Sequence, residues 1–262
     1  MLSAAFRLYG RWWRTLVPVV AVVTVPLTLL QEWVVEGLMP AMSPEELQRV
    51  DPDEAAGRAL VALLVAAAFL VANVALQGAV VLAAARAVTG HGTTLAEAYR
   101  VGLSRLGALL AGGLLAGLAV LVGLVLLVIP GIVVFVRLAL FVPALIVERL
   151  GARRSLARSW DLVRGRSWAV LGALVVGGLV ATVVGAVLGA IGALISSSWV
   201  VLALVSGGAS ALTTPITTLI VVLLYVDQRQ RKERLTLAAL EAELASVTGR
   251  SFGTAPYVGP TP

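Results

Sequence analysis

Three stretches of this sequence carry no charged side chain: Ala59–Ala85, Leu106–Val136 and Ser167–Val226. A helix needs about 20 apolar residues to cross the hydrocarbon of a bilayer, so each stretch is long enough for one or two crossings. Inside lipid the backbone has to satisfy its own hydrogen bonds, and a helix does so within a single segment. The composition agrees, with 60% of the 262 residues hydrophobic and only 13% charged, where a soluble domain is about half apolar and about a quarter charged. The expected fold class is an all-α integral membrane protein.

Six transmembrane helices are expected, at about 15–37, 58–86, 106–128, 132–148, 168–195 and 199–226. In the first, Gln31, Glu32 and Glu36 shorten the apolar part, and a signal peptide is the competing reading. Glu32 and Trp33 stand where small residues would be needed for cleavage, so that reading is set aside. With the N-terminus inside, seventeen basic residues fall in cytoplasmic segments, and only Arg49 and Arg58 fall outside. Positive charge stays on the cytoplasmic side, so both termini are expected there. All the basic residues but Lys232 are arginine, which fits a GC-rich bacterial coding sequence and hence the bacterial inner (plasma) membrane.

The first outer loop, about 38–57, holds Ser43-Pro44-Glu45-Glu46 and Asp51-Pro52-Asp53-Glu54, each a capping residue, a proline and an acid at helix-start spacing. A short acidic helix and then the start of the second span are expected from it. The other outer turns, Ile129-Pro130-Gly131 and Ser196-Ser197-Ser198, are too short for a domain.

A repeat marks the inner face. AAFRLYGRWW, EAYRVGLSRL and RSWDLVRGRSW precede the first, third and fifth spans and align Phe6, Tyr99 and Trp160, then Arg11, Arg105 and Arg166. Each reads as a cytoplasmic-side amphipathic helix ahead of a hairpin, giving three related hairpins. Thr94-Leu95-Ala96-Glu97 adds a capping box to the second copy, and Ser155 with Arg158 and Trp160 marks the third. Gly113-x-x-x-Gly117 and Gly185-x-x-x-Gly189 have the spacing that lets helices approach closely. The membrane domain is expected to span 1–235, followed by a cytoplasmic tail, 236–262. In that tail Leu237, Leu240 and Leu244 share the face of a short helix, and disorder follows from about 247.

Polar groups inside the membrane are the first place to look for function. They are Asn73 and Gln77 on the second span, Arg137 on the fourth, and Thr213, Thr214, Thr217 and Thr218 around Pro215 on the sixth. They form either a polar site between helices or ordinary interhelical hydrogen bonds. Arg137 stands six residues after Gly131, about 9 Å of rise from the outer turn, so its stem can snorkel outward. Pro143 and Pro215 are expected to kink their helices. Arg11, Arg105, Arg153, Arg154, Arg158, Arg164 and Arg166, with Trp160 and Trp168, are placed to meet anionic lipid phosphate. Membrane lipids are the expected partners, and topology already explains the basic residues without nucleic acid.

Catalysis finds little support. The chain has no cysteine and one histidine, His91, in a glycine-flanked loop, and lacks HExxH, GxSxG and GxxxxGK[ST]. No metal site and no cofactor is expected.

IPGIVVFVRLALFVPALIVE, SLARSWDLVRGRSWAVL and PITTLIVVLLYVDQRQRKE together resemble the membrane domain of the glycerophosphoryl diester phosphodiesterase family. The likeness covers roughly 90–235, with FRLYGRWW resembling its opening segment, and joins Pro130, Gly131, Arg137, Pro143, Glu148 and Trp160 with Pro215, Tyr225, Asp227 and Arg229. In fused members a separate soluble barrel carries the diesterase, so the resemblance implies the membrane part without the enzyme. The expected function is a non-enzymatic scaffold or accessory module, linked to phospholipid or to an unidentified lipid-handling membrane protein. The alternative is a transporter of a small solute or lipid with a polar site between its helices.

Overall fold

The computed structural model describes residues 2–38, 52–195 and 198–248. Every regular element in them is an α-helix: α1 (Leu2–Leu38), α2 (Pro52–Val88), α3 (Leu95–Ser104), α4 (Leu106–Leu126), α5 (Val128–Leu138), α6 (Phe141–Val147), α7 (Ala152–Val163), α8 (Ser167–Ile195), α9 (Trp199–Glu233) and α10 (Leu237–Thr248). Six segments are long and apolar enough to cross a membrane: Ser3–Val34, Ala56–Val88, Leu106–Leu126, Val128–Val147, Ser167–Ile195 and Trp199–Glu233. The acidic helix expected in the first outer loop, the Ser196-Ser197 turn and the tail beyond Thr248 lie outside the described residues. Pro52 does open α2, where its missing N–H costs nothing.

Helix α1 packs on α9 and α2, α8 on α9, and α4 on α5. The best-packed region is the arginine-rich end, where Leu82, Leu145, Ile146, Leu162, Leu224, Tyr225 and Leu244 belong to one buried cluster. Toward the opposite end, Leu126, Ile129 and Leu194 are exposed, an apolar surface suited to lipid rather than water.

Several local expectations change. AAFRLYGRWW forms no separate helix but runs straight into α1. The second and third copies are separate, α3 from α4 at Arg105 and α7 from α8 through Gly165, whose φ of +89° suits glycine. Thr94 caps α3, its Oγ1 accepting from the Glu97 N–H, while the Glu97 carboxylate pairs with buried Arg86 at 2.5 Å. Helix α7 begins earlier than Ser155, which sits buried within it.

The α4–α5 turn is not Ile129-Pro130-Gly131 but the single extended residue Leu127. It closes this tightly because a Cβ on Gly123 would lie 2.9 Å from the Gly131 Cα, so only glycines admit the contact. The glycines expected to mediate packing also differ. Gly113, Gly117, Gly185 and Gly189 have nothing within 4 Å of an added Cβ, whereas Gly112 meets Phe141 and Gly177 meets Ile220. The tightest approach is α3 on α2, where a Cβ on Gly102 would sit 2.5 Å from the Ala75 carbonyl oxygen.

Helix α10 folds back with Leu240 and Leu244 buried and Leu237 half-buried. Its Glu243 takes two bonds from Arg229 of α9, and the Arg149 guanidinium donates to the Val247 carbonyl at 3.3 Å.

Candidate functional site

The fourth span is broken, and the break lies ahead of Pro143 rather than at it. Proline lacks an N–H and its ring collides with the carbonyl four residues back, here that of Ala139. The chain therefore leaves helical geometry after Leu138 and restarts at Phe141, placing Pro143 in the first turn of α6. Ser159 of α7 joins the two ends, accepting from the Leu140 N–H at 3.1 Å and donating to the Arg137 carbonyl at 2.7 Å.

Arg137 does not snorkel to the outer turn. Counted from Leu127 it lies ten residues, about 15 Å, below that turn, beyond the easy reach of its stem. Its guanidinium stacks instead on Trp160 of α7, 4.4 Å from the ring centroid, where the ring's negative face stabilises the cation. Trp160 and Arg137 thereby contact each other within the fold.

At the arginine-rich end a network ties four elements together. Glu148, just after α6, accepts from Arg158 Nε at 2.9 and 3.0 Å and from the Tyr225 hydroxyl at 2.7 Å. Arg158 also pairs with Glu233, and Arg229 with Glu233 and Glu243. Burial works against the Arg158 charge, but the hydrogen bonds it donates to the Glu233 and Glu148 carboxylates outweigh it and hold its pKa above the ordinary value. Arg158, placed by sequence among the lipid contacts, is thus committed within the protein. Arg11, Arg153, Arg154, Arg164, Arg166 and Trp168 are exposed, and Arg105 is half-buried. On α3, Tyr99 donates to the Val19 carbonyl of α1, and burial pushes its hydroxyl up to about 12, so it remains a donor at any physiological pH.

Between the helices lies a cavity of about 710 Å³, within the roughly 300–1,000 Å³ range of small-molecule sites. Its polar groups all come from α1, α2 and α9: Thr24 and Thr28, Asn73 and Gln77, and Ser210 with Thr214, Thr217 and Thr218. The lining from α4, α5 and α6 is apolar, including Val120, Phe135, Leu138, Phe141 and Val142. Asn73 precedes the end of α2 by fifteen residues, about 22 Å, which sets the polar side well inside the bilayer.

The structure thus brings Asn73, Gln77, Thr214, Thr217 and Thr218 onto one wall. Thr213 points elsewhere, its hydroxyl donating to the Ala209 carbonyl at 2.9 Å, and Arg137 is not part of the lining. Sequence reasoning passed over Thr24 and Thr28. Their four-residue spacing, which repeats that of Asn73 and Gln77, and their position around Pro26, which echoes the threonines around Pro215, were the available signals. Thr28 also holds α1 to α9, its Oγ1 donating to the Ala203 carbonyl at 3.1 Å. Gly207 makes room there, since a Cβ would lie 2.6 Å from the Thr28 hydroxyl. Among the described residues, no group of three or more acidic or histidine side chains is arranged to hold a metal.

Residues 114–240 match the family model described as the membrane domain of glycerophosphoryl diester phosphodiesterase. Over these residues, just under half of its length, the chain is similar to that family. The family segment starts later than the resemblance suggested. It takes in the broken fourth span, the ion network apart from Glu243, and the α9 side of the cavity, while α1 and α2, with Thr24, Thr28, Asn73 and Gln77, lie outside it. The family is the membrane part of a diesterase family and not its catalytic domain. Comparison with curated proteins and with solved structures gave no match.

Proposed function

We propose that this chain is a membrane-embedded accessory module that holds a lipid molecule between its helices for a lipid-handling partner, without itself breaking bonds. The observation that supports this reading is the two-sided cavity, polar along α1, α2 and α9 and apolar along α4, α5 and α6. A site of that kind suits an amphiphile, whose chain displaces nothing better than lipid while its polar part finds hydrogen bonds. The non-catalytic part of the reading rests on the sequence, which lacks a recognisable active-site motif, and on the family segment being the membrane part. The exposed Arg11, Arg153, Arg154, Arg164 and Arg166 supply phosphate contacts at a face that the arginine asymmetry assigns to the cytoplasm of a bacterial inner membrane.

The test is retention of lipid. The chain purified in mild detergent should carry one lipid per polypeptide in native mass spectrometry, and Thr218→Trp, which fills the cavity, should release it. A parent chain that retains no lipid sinks the proposal. A transport reading has its own support, because Pro26 and Pro215 lie inside α1 and α9, the two helices that carry the threonines of the wall, where each removes one helical hydrogen bond. Lipid or solute flux in proteoliposomes, abolished by Thr218→Trp, would put transport in place of a static holding role.

A further inference from the structure

Two properties of the cavity narrow what it can take. First, no acidic or basic side chain lines it. Arg137, the charge inside the fourth span, is turned onto Trp160. A charged group placed in such a site inside the bilayer would have no counter-charge, which is strongly unfavourable.

Second, part of the polar wall can only accept hydrogen bonds. A threonine hydroxyl has one proton and two lone pairs. The proton of Thr24 goes to the Val20 carbonyl at 3.1 Å, that of Thr28 is shared among the Thr24, Val25 and Ala203 carbonyls at 3.0, 3.0 and 3.1 Å, and that of Thr217 goes to the Thr214 carbonyl at 2.9 Å. Asn73 gives one amide N–H to the Phe69 carbonyl at 2.9 Å and keeps its Oδ1 as an acceptor beside its second N–H. These acceptors come from three different helices. An ester or ether oxygen finds no donor at the three hydroxyls, whereas an O–H group finds an acceptor at each.

We infer that the cavity takes an uncharged amphiphile with a free hydroxyl, of the diacylglycerol or long-chain-alcohol type. Its hydroxyl lies on the α1–α2–α9 side and its chain along α4–α6. This deepens the accessory-module reading and rests on it.

The probes are dioleoylglycerol, the methyl ether of its free hydroxyl, and dioleoylphosphatidic acid, each added to the delipidated full chain and followed by native mass spectrometry. Dioleoylglycerol should bind one per chain. The ether, short of one hydrogen-bond proton, should bind about fivefold more weakly, and phosphatidic acid should not displace the alcohol. Asn73→Leu and Thr217→Val each remove an acceptor at nearly constant shape and should reduce the preference for alcohol over ether. The two variants sit on different helices, so the comparison survives if one of them fails to fold. Equal binding of alcohol and ether, with one lipid still held per chain, overturns the hydroxyl assignment and leaves the accessory module standing. Displacement by phosphatidic acid overturns the neutrality of the site. Failure of every lipid to bind overturns both readings together.

Discussion

Tyr225→Phe tests the network at the arginine-rich end with the smallest available change. The Tyr225 side chain is fully buried, and its hydroxyl donates to Glu148 Oε1 at 2.7 Å while accepting from Arg229 Nη1 at 3.1 Å. The ring stays, so no cavity is made and packing is preserved. Each lost bond has a charged partner, a class that contributes about 1.5–3 kcal/mol net. Neither partner is stranded, because Glu148 keeps Arg158, and Arg229 keeps Glu233 and Glu243. The low end therefore applies to each bond, for a total loss of about 3 kcal/mol. At about 2–4 °C per kcal/mol for a chain of this size, Tm should fall by about 6–12 °C. Thermal unfolding in detergent, followed by tryptophan fluorescence, reads this directly. A Tm within about 1 °C of the parent would refute the reasoning, since so small a shift is far below even one such bond. Combining Tyr225→Phe with Glu148→Gln should cost less than the sum of the two, because the variants share a hydrogen bond. Strict additivity would mean that the two groups do not act together.

The same assay checks several neighbouring claims. Gly102→Ala drives a Cβ to 2.5 Å from the Ala75 carbonyl oxygen and should destabilise by about 1–3 kcal/mol or more. Gly113→Ala meets nothing within 4 Å and should be neutral or stabilising by up to about 1 kcal/mol, so similar losses at both sites would contradict the packing described. Ser159→Ala leaves the Leu140 N–H and the Arg137 carbonyl without their shared partner at the break, at a cost of about 1–3 kcal/mol. A double-mutant cycle of Arg137→Leu with Trp160→Leu should return a coupling of about 0.5–2 kcal/mol, and zero coupling would remove the cation–π contact as the arginine's role. Because the chain has no cysteine, a single Ser246→Cys on exposed α10 should react with a membrane-impermeant maleimide only when the cytoplasmic side is open to it.

The membrane fold was legible because charge-free runs of this length have few alternatives, and the segments expected from them overlap the six apolar helices closely. What the sequence left open were features decided by a second helix. The glycine spacing at Gly113 and Gly117 is the same whether the stripe faces protein or lipid, and in the structure it faces open space while Gly112, one residue earlier, takes the contact. Ile129-Pro130-Gly131 carries turn residues, yet Gly123 lies opposite Gly131 and lets the chain reverse at Leu127. Pro143 correctly marked an interruption of the fourth span, but its position depended on the Ser159 hydroxyl, which comes from α7.

The site shows the same division between what one segment reveals and what two must settle. A rule based on the cost of burying polarity ranks Arg137 first, because it is a charge with apolar residues for several positions on either side. The structure offsets part of that cost locally, with the Trp160 ring beneath the guanidinium, although Arg137 Nε is buried without a hydrogen-bond partner. Groups of lower cost are the ones left facing open volume, since an uncharged amide or hydroxyl can wait for a ligand inside a bilayer at a cost the fold can bear. The two regions are nevertheless joined mechanically. Val221 on the α9 side of the cavity is one turn from Tyr225, and Pro143 on the α6 side is five residues from Glu148. The Tyr225–Glu148 bond therefore clamps the α6 and α9 sides of the cavity at one end.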